Sequence, residues 1–214
     1  VIEIFSGLER HFRPHALQPM FQLRKRVFHD LLGWDVKVRG DIEIDHYDDV
    51  NPIYVLSYTP GTRHLRGALR LLPTLGPNML DDTFPELLGG RPAIRRTDVW
   101  ESSRFCIDPE ISQDRASNQV TVAAAEMMCA VGELGLASGI AEIVTVTDVF
   151  LERMFRRMGC PGTRIGEPRR IGSVHAVAVG WEVNDQLLSG MKAIAGISEP
   201  LLAMPPAMRI AAAA

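Results

Sequence analysis

Residues 140–147, IAEIVTVT, read as a continuous β-branched strand, and this stretch decides the fold. Valine, isoleucine and threonine suit a pleated strand, and one without polar alternation is expected to be covered on both faces. The flanking sequence supplies the covers. Upstream, residues 113–138 contain a long Ala-rich helix that ends near Gly139. Downstream, VFLERMFRRMG (149–159) reads as a helix stopped by Gly159, since glycine takes the left-handed turn at a helix end most readily. Helices packed against a buried strand make an α/β layer structure.

Working outward, IEIF (2–5), residues 42–46, IYVLSYT (53–59), LRGALRLL (65–72), VWESSRFCI (99–107) and SVHAVAVGW (173–181) read as further strands. A helix is expected over Pro19–Leu32, with its proline in the first turn, and a last one in VNDQLLSGMKAI (183–194). Residues 74–92 are rich in Gly and Pro and read as a connection with one short helix at most. No repeat or Gly/Ser linker divides the chain. Residues 1–214 read as a single α/β domain with a mixed central sheet and helices on both faces, ending in a small-residue tail, about 203–214, expected to fray.

Composition narrows the function classes. A hydrophobic content of 46% with 23% charged residues is that of an ordinary soluble globular protein. No run approaches the ~18 apolar residues of a membrane span, and VIEIFSGLERHF, with Glu3, lacks the apolar core of a secretory signal. A net charge of −3 argues against nucleic-acid binding. Cys106, Cys129 and Cys160 are odd in number and widely spaced, giving neither a zinc motif nor a disulfide framework. Free buried thiols in a cytoplasmic protein are the expectation.

Several charges fall where periodicity calls for apolar side chains, which is costly unless they are paired or used. Met20, Val27, Phe28 and Leu31 make one helical stripe, and Arg24 lies on it; Arg26 faces elsewhere and is expected to be solvated. EIDHYDD places Glu43, Asp45, Asp48 and Asp49 within seven residues. These acids suit a solvated loop, a carboxylate cage for a cationic ligand, or partners for Arg24 and its fellow arginines; EF-hand spacing and a His pair are missing. In LRGALRLL, Arg66, Ala68, Arg70 and Leu72 share a face. In VWESSRFCI, Val99, Glu101, Ser103, Phe105 and Ile107 share another, with Arg104 opposite unless a bulge intervenes. Glu101 in that row is expected to have a raised pKa or an arginine partner. The residues alone reach a polar cleft, or a structural salt-bridge network, in an α/β domain.

The set Arg24, Phe28, Trp34, Asp45, Asp48, Arg70, Glu101 and Arg104, with the phrases GWDV, NPIYVL, RLLPTLGPNML, FPEL and WESSRF, resembles the acyl-homoserine-lactone synthases, the LuxI-type autoinducer synthase family. The likeness is strong over about residues 20–110 and looser over 115–180. It implies a three-layer fold similar to the GNAT acetyltransferases. It also implies the family's reaction: the amine of S-adenosylmethionine is joined to a fatty acyl thioester, usually on acyl carrier protein, and the methionine portion closes into a lactone with loss of 5′-methylthioadenosine. On this resemblance Arg24, Phe28 and Trp34 belong to a mobile N-terminal part, about 1–50, over the S-adenosylmethionine pocket. Asp45, Asp48, Arg70, Glu101 and Arg104 line or brace that pocket. No cofactor or metal is implied, and a monomer is the default.

The residue types suit that chemistry. Acids complement a sulfonium and an ammonium, an arginine complements a carboxylate, and Phe28 and Trp34 offer aromatic faces to a cation. Acyl transfer needs a neutral amine, so a base must take its proton; Glu101 is the candidate, with Asp45 as the alternative. Phe105, Met127 and Thr145 are candidates for an acyl pocket beneath the helix holding Ala123 and Met128, and a threonine resembling Thr145 accompanies 3-oxo chains in the family. Arg153, Arg156 and Arg157, followed by Arg164, Arg169 and Arg170, form a basic patch suited to an acidic carrier protein or to solvent alone. Two other classes stay open: an N-acetyltransferase using acetyl-coenzyme A, against which the glycine-free DRASNQV (114–120) counts, and a non-catalytic sensor of acyl groups or S-adenosylmethionine.

Overall fold

In the computed structural model, which describes residues 1–111, 121–157 and 160–202, the β-branched stretch forms the strand β7 (Glu142–Asp148). The other strands are β1 (Ile2–Ser6), β2 (Val38–Arg39), β3 (Ile42–Glu43), β4 (Ile53–Tyr58), β5 (Leu65–Pro73), β6 (Val99–Ile107), β8 (Thr163–Arg164), β9 (Arg169–Ile171) and β10 (Val174–Glu182). The main sheet runs β1-β4-β5-β6-β7-β10-β8, with β9 also on β10, while β2 and β3 form a separate hairpin. Neighbours are antiparallel except β6 and β7, which are parallel. Sequence reading misses β2, β8 and β9, each too short to carry a period.

The helices α1 (Pro14–Arg24), α2 (Met79–Asp82), α3 (Val122–Ser138), α4 (Val149–Arg157) and α5 (Asp185–Ala195) complete the layers. On one face α1 packs Met20, Leu23 and Phe28 from its C-terminal continuation onto Tyr54, Leu56 and Ala68. On the other, α3 sets Met127, Ala130 and Leu134 against Val55, Leu69 and Trp100. Gly139 caps α3 at φ 69°, as expected of a helix-ending glycine. Among the described residues no helix is long and apolar enough to cross a membrane.

Three local breaks correct the sequence reading. The first helix begins at Pro14, which takes the N-terminal place expected of Pro19, and it passes after Arg24 into a π-helical turn, Lys25–Leu31. There Leu32 N–H donates to Val27 C=O, an i→i+5 bond. The wider turn carries Leu31 off the apolar stripe, leaving it 63% exposed. In β5 the register with β4 breaks beside Tyr58, and Arg66 turns away from Arg70 to pair with Glu126 of α3 and Ser57. In β6 the register with β5 shifts so that Ala68 opposes Cys106 but Arg70 opposes Ser103. The extra residue there is Arg104, at φ 53°.

That bulge decides what β6 presents. It leaves Glu101, Ser103 and Arg104 on the α1 side and sends Phe105 and Ile107 to the α3 side, with the core around Met127. Phe105 and Glu101 therefore do not share a face. A bulge also bends its strand. The pairing of β6 with β7 runs from Val99–Glu142 to Ser102–Thr145 and stops there, although both strands continue.

Candidate active site

Three arginines and three acids meet on the α1 face. Arg24 Nε donates to Glu43 Oε2 at 2.5 Å, and its two terminal nitrogens donate to Asp48 at 2.8 and 3.0 Å. Arg70 Nη1 donates to Asp45 Oδ1 at 2.5 Å and to Asp48 Oδ1 at 3.0 Å, and its Nε to Ser103 Oγ at 3.2 Å. Arg104 Nη2 reaches Glu43 Oε1 at 3.0 Å and Asp45 Oδ2 at 2.9 Å. Tyr54 Oη donates to Asp48 at 2.9 Å. Each guanidinium bridges carboxylates, a geometry suited to its planar fork.

Local structure explains why these acids converge. After β3, Asp45 caps a short 3₁₀ turn by accepting from Tyr47 N–H, while Asp48 accepts from Asp45 N–H. This reciprocal cap turns both carboxylates inward. Burial raises the cost of charging Asp48, but Arg24 and Arg70 outweigh it and hold its carboxyl well below the usual range. Burial works against the charge of Arg24 too, but Asp48 and Glu43 outweigh it and raise its pKa above the ordinary arginine value. Burial, with Asp48 beside it, pushes the Tyr54 phenol up.

Of the acids noted in the sequence, Asp49 lies outside this network, exposed and paired with Arg10. Glu43, noted in the same run of acids but absent from the set that carries the family resemblance, is fully buried and bridges Arg24 to Arg104. Arg26, expected to be solvated, donates to the buried Asp108 at 3.0 Å and ties the π-helical turn to the end of β6.

Glu101 stands apart from the cage. Burial is the largest influence on it and raises its pKa to about 7, against the opposing pull of the Leu80 and Met79 N–H groups. Those groups donate to its two oxygens at 2.6 and 3.1 Å. Met79 links the two features, its Sδ accepting from Arg70 at 3.4 Å and Arg104 at 3.6 Å. Neither Met79 nor Tyr54 is singled out by the sequence, because both types are ordinary core residues.

A cavity of about 790 Å³ opens in front of this network, within the size range of small-molecule sites. At one end Phe28, Trp34, Met79, Glu101, Ser103 and Arg104 line it. Phe28 and Trp34 stack at 5.2 Å, and Arg104 lies 5.5 Å over the Phe28 ring. Where β6 and β7 part, the cavity passes Ser102 and Thr145 and enters an apolar chamber beneath α3, α4 and α5, reaching Met128, Val131, Trp181 and Leu188.

Arg24, Asp45, Asp48 and Arg70 do not line the cavity; they form the frame behind Arg104. Met127, expected in an acyl pocket, is buried in the core between β5 and α3, and the next residue, Met128, faces the cavity instead. Thr145 lines the cavity, with its hydroxyl donating to Ser102 C=O at 2.7 Å. Cys106 is buried and its thiol is pushed up to about 12 by burial, so it is no nucleophile. On α4, Arg153 is exposed, while Arg156 and Arg164 both pair with buried Glu152. The side chain of Arg157 and the segment 114–120 lie outside the described residues.

The mixed sheet opens between two parallel strands, with a charged pocket at one end of the gap and an apolar chamber at the other, and its fold is one that acyltransferases share. An acyl-CoA N-acyltransferase from Pseudomonas aeruginosa shares the fold at TM-score 0.56 and 12% identity, over 85% of this chain and 98% of that one. The chain belongs to the autoinducer synthase family, whose model matches residues 10–190, and it is an acyltransferase of that family. It is 42% identical over 162 residues to an acyl-homoserine-lactone synthase of Rhizobium radiobacter, covering 76% of each. The crystal structure of the acyl-homoserine-lactone synthase LasI matches at TM-score 0.78 and 33% identity, over 94% of this chain and 98% of that one. The structure of a coenzyme-A-dependent acyl-homoserine lactone synthase, BjaI, with S-adenosylmethionine and isopentyl-CoA, matches at TM-score 0.81 and 26% identity, over 92% of this chain and 90% of that one. The GNAT-like, single-domain reading of the sequence agrees with these likenesses.

Proposed function

We propose that this chain makes an acyl-homoserine lactone from S-adenosylmethionine and a fatty acyl group borne as a thioester on acyl carrier protein, acting as a monomer in the cytoplasm. The observation that carries the reading is the continuous cavity, charged at Arg104 and Glu101 and apolar beyond Thr145. One substrate is a polar zwitterion with a sulfonium, and the other ends in a hydrocarbon.

Roles follow from the surfaces. Arg104 meets the carboxylate of S-adenosylmethionine, and Phe28 and Trp34 cover its sulfonium end. Glu101, with a pKa raised to about 7, takes a proton from the ammonium near neutral pH. The freed amine attacks the thioester carbonyl, the C–S bond breaks, and the thiol leaves with the carrier. The methionine carboxylate then displaces the sulfonium, forming the lactone C–O bond and releasing neutral 5′-methylthioadenosine. A 3-oxo acyl chain is the proposed substrate, its keto group drawing the Thr145 hydroxyl away from Ser102 C=O.

The test is to incubate the purified chain with S-adenosylmethionine and acyl carrier proteins bearing different acyl chains, following lactone and methylthioadenosine by mass spectrometry. Equal amounts of both products support the synthase. Product from coenzyme A thioesters alone replaces the carrier protein as donor. An amide without lactone moves the chain to ordinary acetyltransferase chemistry, and binding with no product from any donor moves it to a sensor.

A further inference from the structure

The helix α3 carries Gly132 and Gly135 in a sequence otherwise dominated by alanine and other good helix formers. Glycine is a poor helix former, so each position needs a reason. That of Gly135 is ordinary packing: a Cβ there would come 2.9 Å from Cγ1 of Val183, just ahead of α5. Gly132 differs. A Cβ there would meet Leu188 Cδ1 at 3.1 Å and Met191 Cε at 3.2 Å, the far ends of two flexible side chains of α5. Gly132, Leu188 and Met191 all line the cavity. The free volume into which those ends would turn is the chamber itself.

This part of the chamber is mainly apolar. Of the polar side chains lining it, the Trp181 indole N–H donates to Cys160 C=O at 3.1 Å, and Asn184 Oδ1 caps α5 by accepting from Leu187 N–H at 2.8 Å. Phe155 closes edge-on against Trp181 at 6.0 Å. Such walls suit a hydrocarbon end better than a nucleoside. The reacting groups lie at the other end, beyond the point where β6 and β7 part.

We propose that Gly132, with Leu188 and Met191 facing it from α5, sets the length of acyl chain that the enzyme accepts, the tail ending against the α3–α5 crossing. The inference rests on the proposed synthase reading and deepens it. Filling this corner by one methyl shortens the preferred chain, and emptying it lengthens the preference. One methylene in an apolar pocket is worth roughly tenfold or more in discrimination, so the change is readable as a product ratio.

The experiment offers the full chain an equimolar pool of acyl carrier proteins bearing straight chains from short to long, with a matched pool of coenzyme A thioesters, and reads the lactone lengths by mass spectrometry. Gly132→Ala is expected to lower the ratio of the longest product to the next shorter one by about tenfold or more, with methylthioadenosine release from the shortest donor retained. Met191→Ala is expected to shift the profile the other way. Thermal melts of all variants establish that they are folded. Folded variants with the unaltered chain's length profile, or with equal loss at every length, overturn the inference alone. No lactone from the unaltered chain with either pool overturns the synthase reading and this inference with it.

Discussion

Arg104 Nη2 lies 2.9 Å from Asp45 Oδ2, and one extra residue in β6 makes that contact possible. At φ 53° Arg104 occupies the left-handed region that non-glycine residues seldom adopt. In return its guanidinium spans Glu43, Asp45 and the Met79 sulfur at the cavity's edge. Lysine at this position keeps a charge but loses the fork. Arg104→Lys is expected to lower kcat/KM for S-adenosylmethionine by about 2 kcal/mol, roughly thirtyfold, with a smaller change in melting temperature because Arg24 and Arg70 still hold the acids. Steady-state kinetics with a thermal melt check both halves.

The raised pKa of Glu101 gives opposite signs for activity and stability. As a base it works when deprotonated, so kcat/KM is expected to rise as pH climbs through about 7. The folded state, by contrast, holds this proton more tightly than the unfolded chain does. Stability therefore falls as pH rises from 4.5, the ordinary value, to about 7. Glu101→Gln is expected to abolish turnover and remove that stability slope. A pH–rate profile and melts across this window test the pair; an unaltered activity limb in the glutamine variant rules out Glu101 as its source.

Arg24 is a structural matter first. With side chains of 1% and 0% exposure, Arg24 and Glu43 are sealed behind the cavity. Removing one partner of a buried pair leaves its charge uncompensated, at a cost of about 3–5 kcal/mol. Arg24→Met is expected to destabilise by that amount in chemical denaturation. The depressed pKa of Asp48 adds an acid limb: its contribution is whole above 3.8, its ordinary value, and is lost as pH falls below it. Arg24→Met is expected to make that limb shallower.

Much of this was legible in the sequence because burial and charge conflict in the chain itself. Arg24 on an apolar stripe announces a network, Glu101 in an apolar row announces a buried acid, and the unbroken β7 announces a covered sheet. The side on which each residue lands was not legible beyond β-bulges. A strand's period reports faces only while its register holds, so Phe105 and Arg66 are misplaced by one extra residue each. The π-helical turn displaces Leu31 in the same way. Met127 and Met128 show the related limit in a helix: composition marks the neighbourhood, while about 100° of rotation separates core from cavity.

Thr145 tests the 3-oxo proposal. Its hydroxyl donates to Ser102 C=O at 2.7 Å beside the open gap between β6 and β7. Valine keeps the shape and removes the donor. Thr145→Val is expected to lower the ratio of 3-oxo to unsubstituted product about tenfold, matching a hydrogen bond of roughly 1 kcal/mol or somewhat more. An unchanged ratio in a competition assay removes the threonine from selection of the 3-position.

The basic patch on α4 and β8 divides by partner. Arg156 and Arg164 both serve the buried carboxylate of Glu152, at 2.8 and 3.0 Å, so reversing Arg156 would damage the fold and any docking together. Arg153 is exposed on the same helix, three residues beyond Phe150, which is 75% exposed. Arg153→Glu therefore isolates the electrostatic contribution. It is expected to raise KM for carrier-bound acyl groups about tenfold at low salt while sparing a small thioester, because charge at a rim acts mainly on encounter. The difference should shrink as salt is raised and the Debye length falls to roughly 3 Å near 1 M. Equal loss on both donors, or a loss insensitive to salt, would remove this face from carrier recognition.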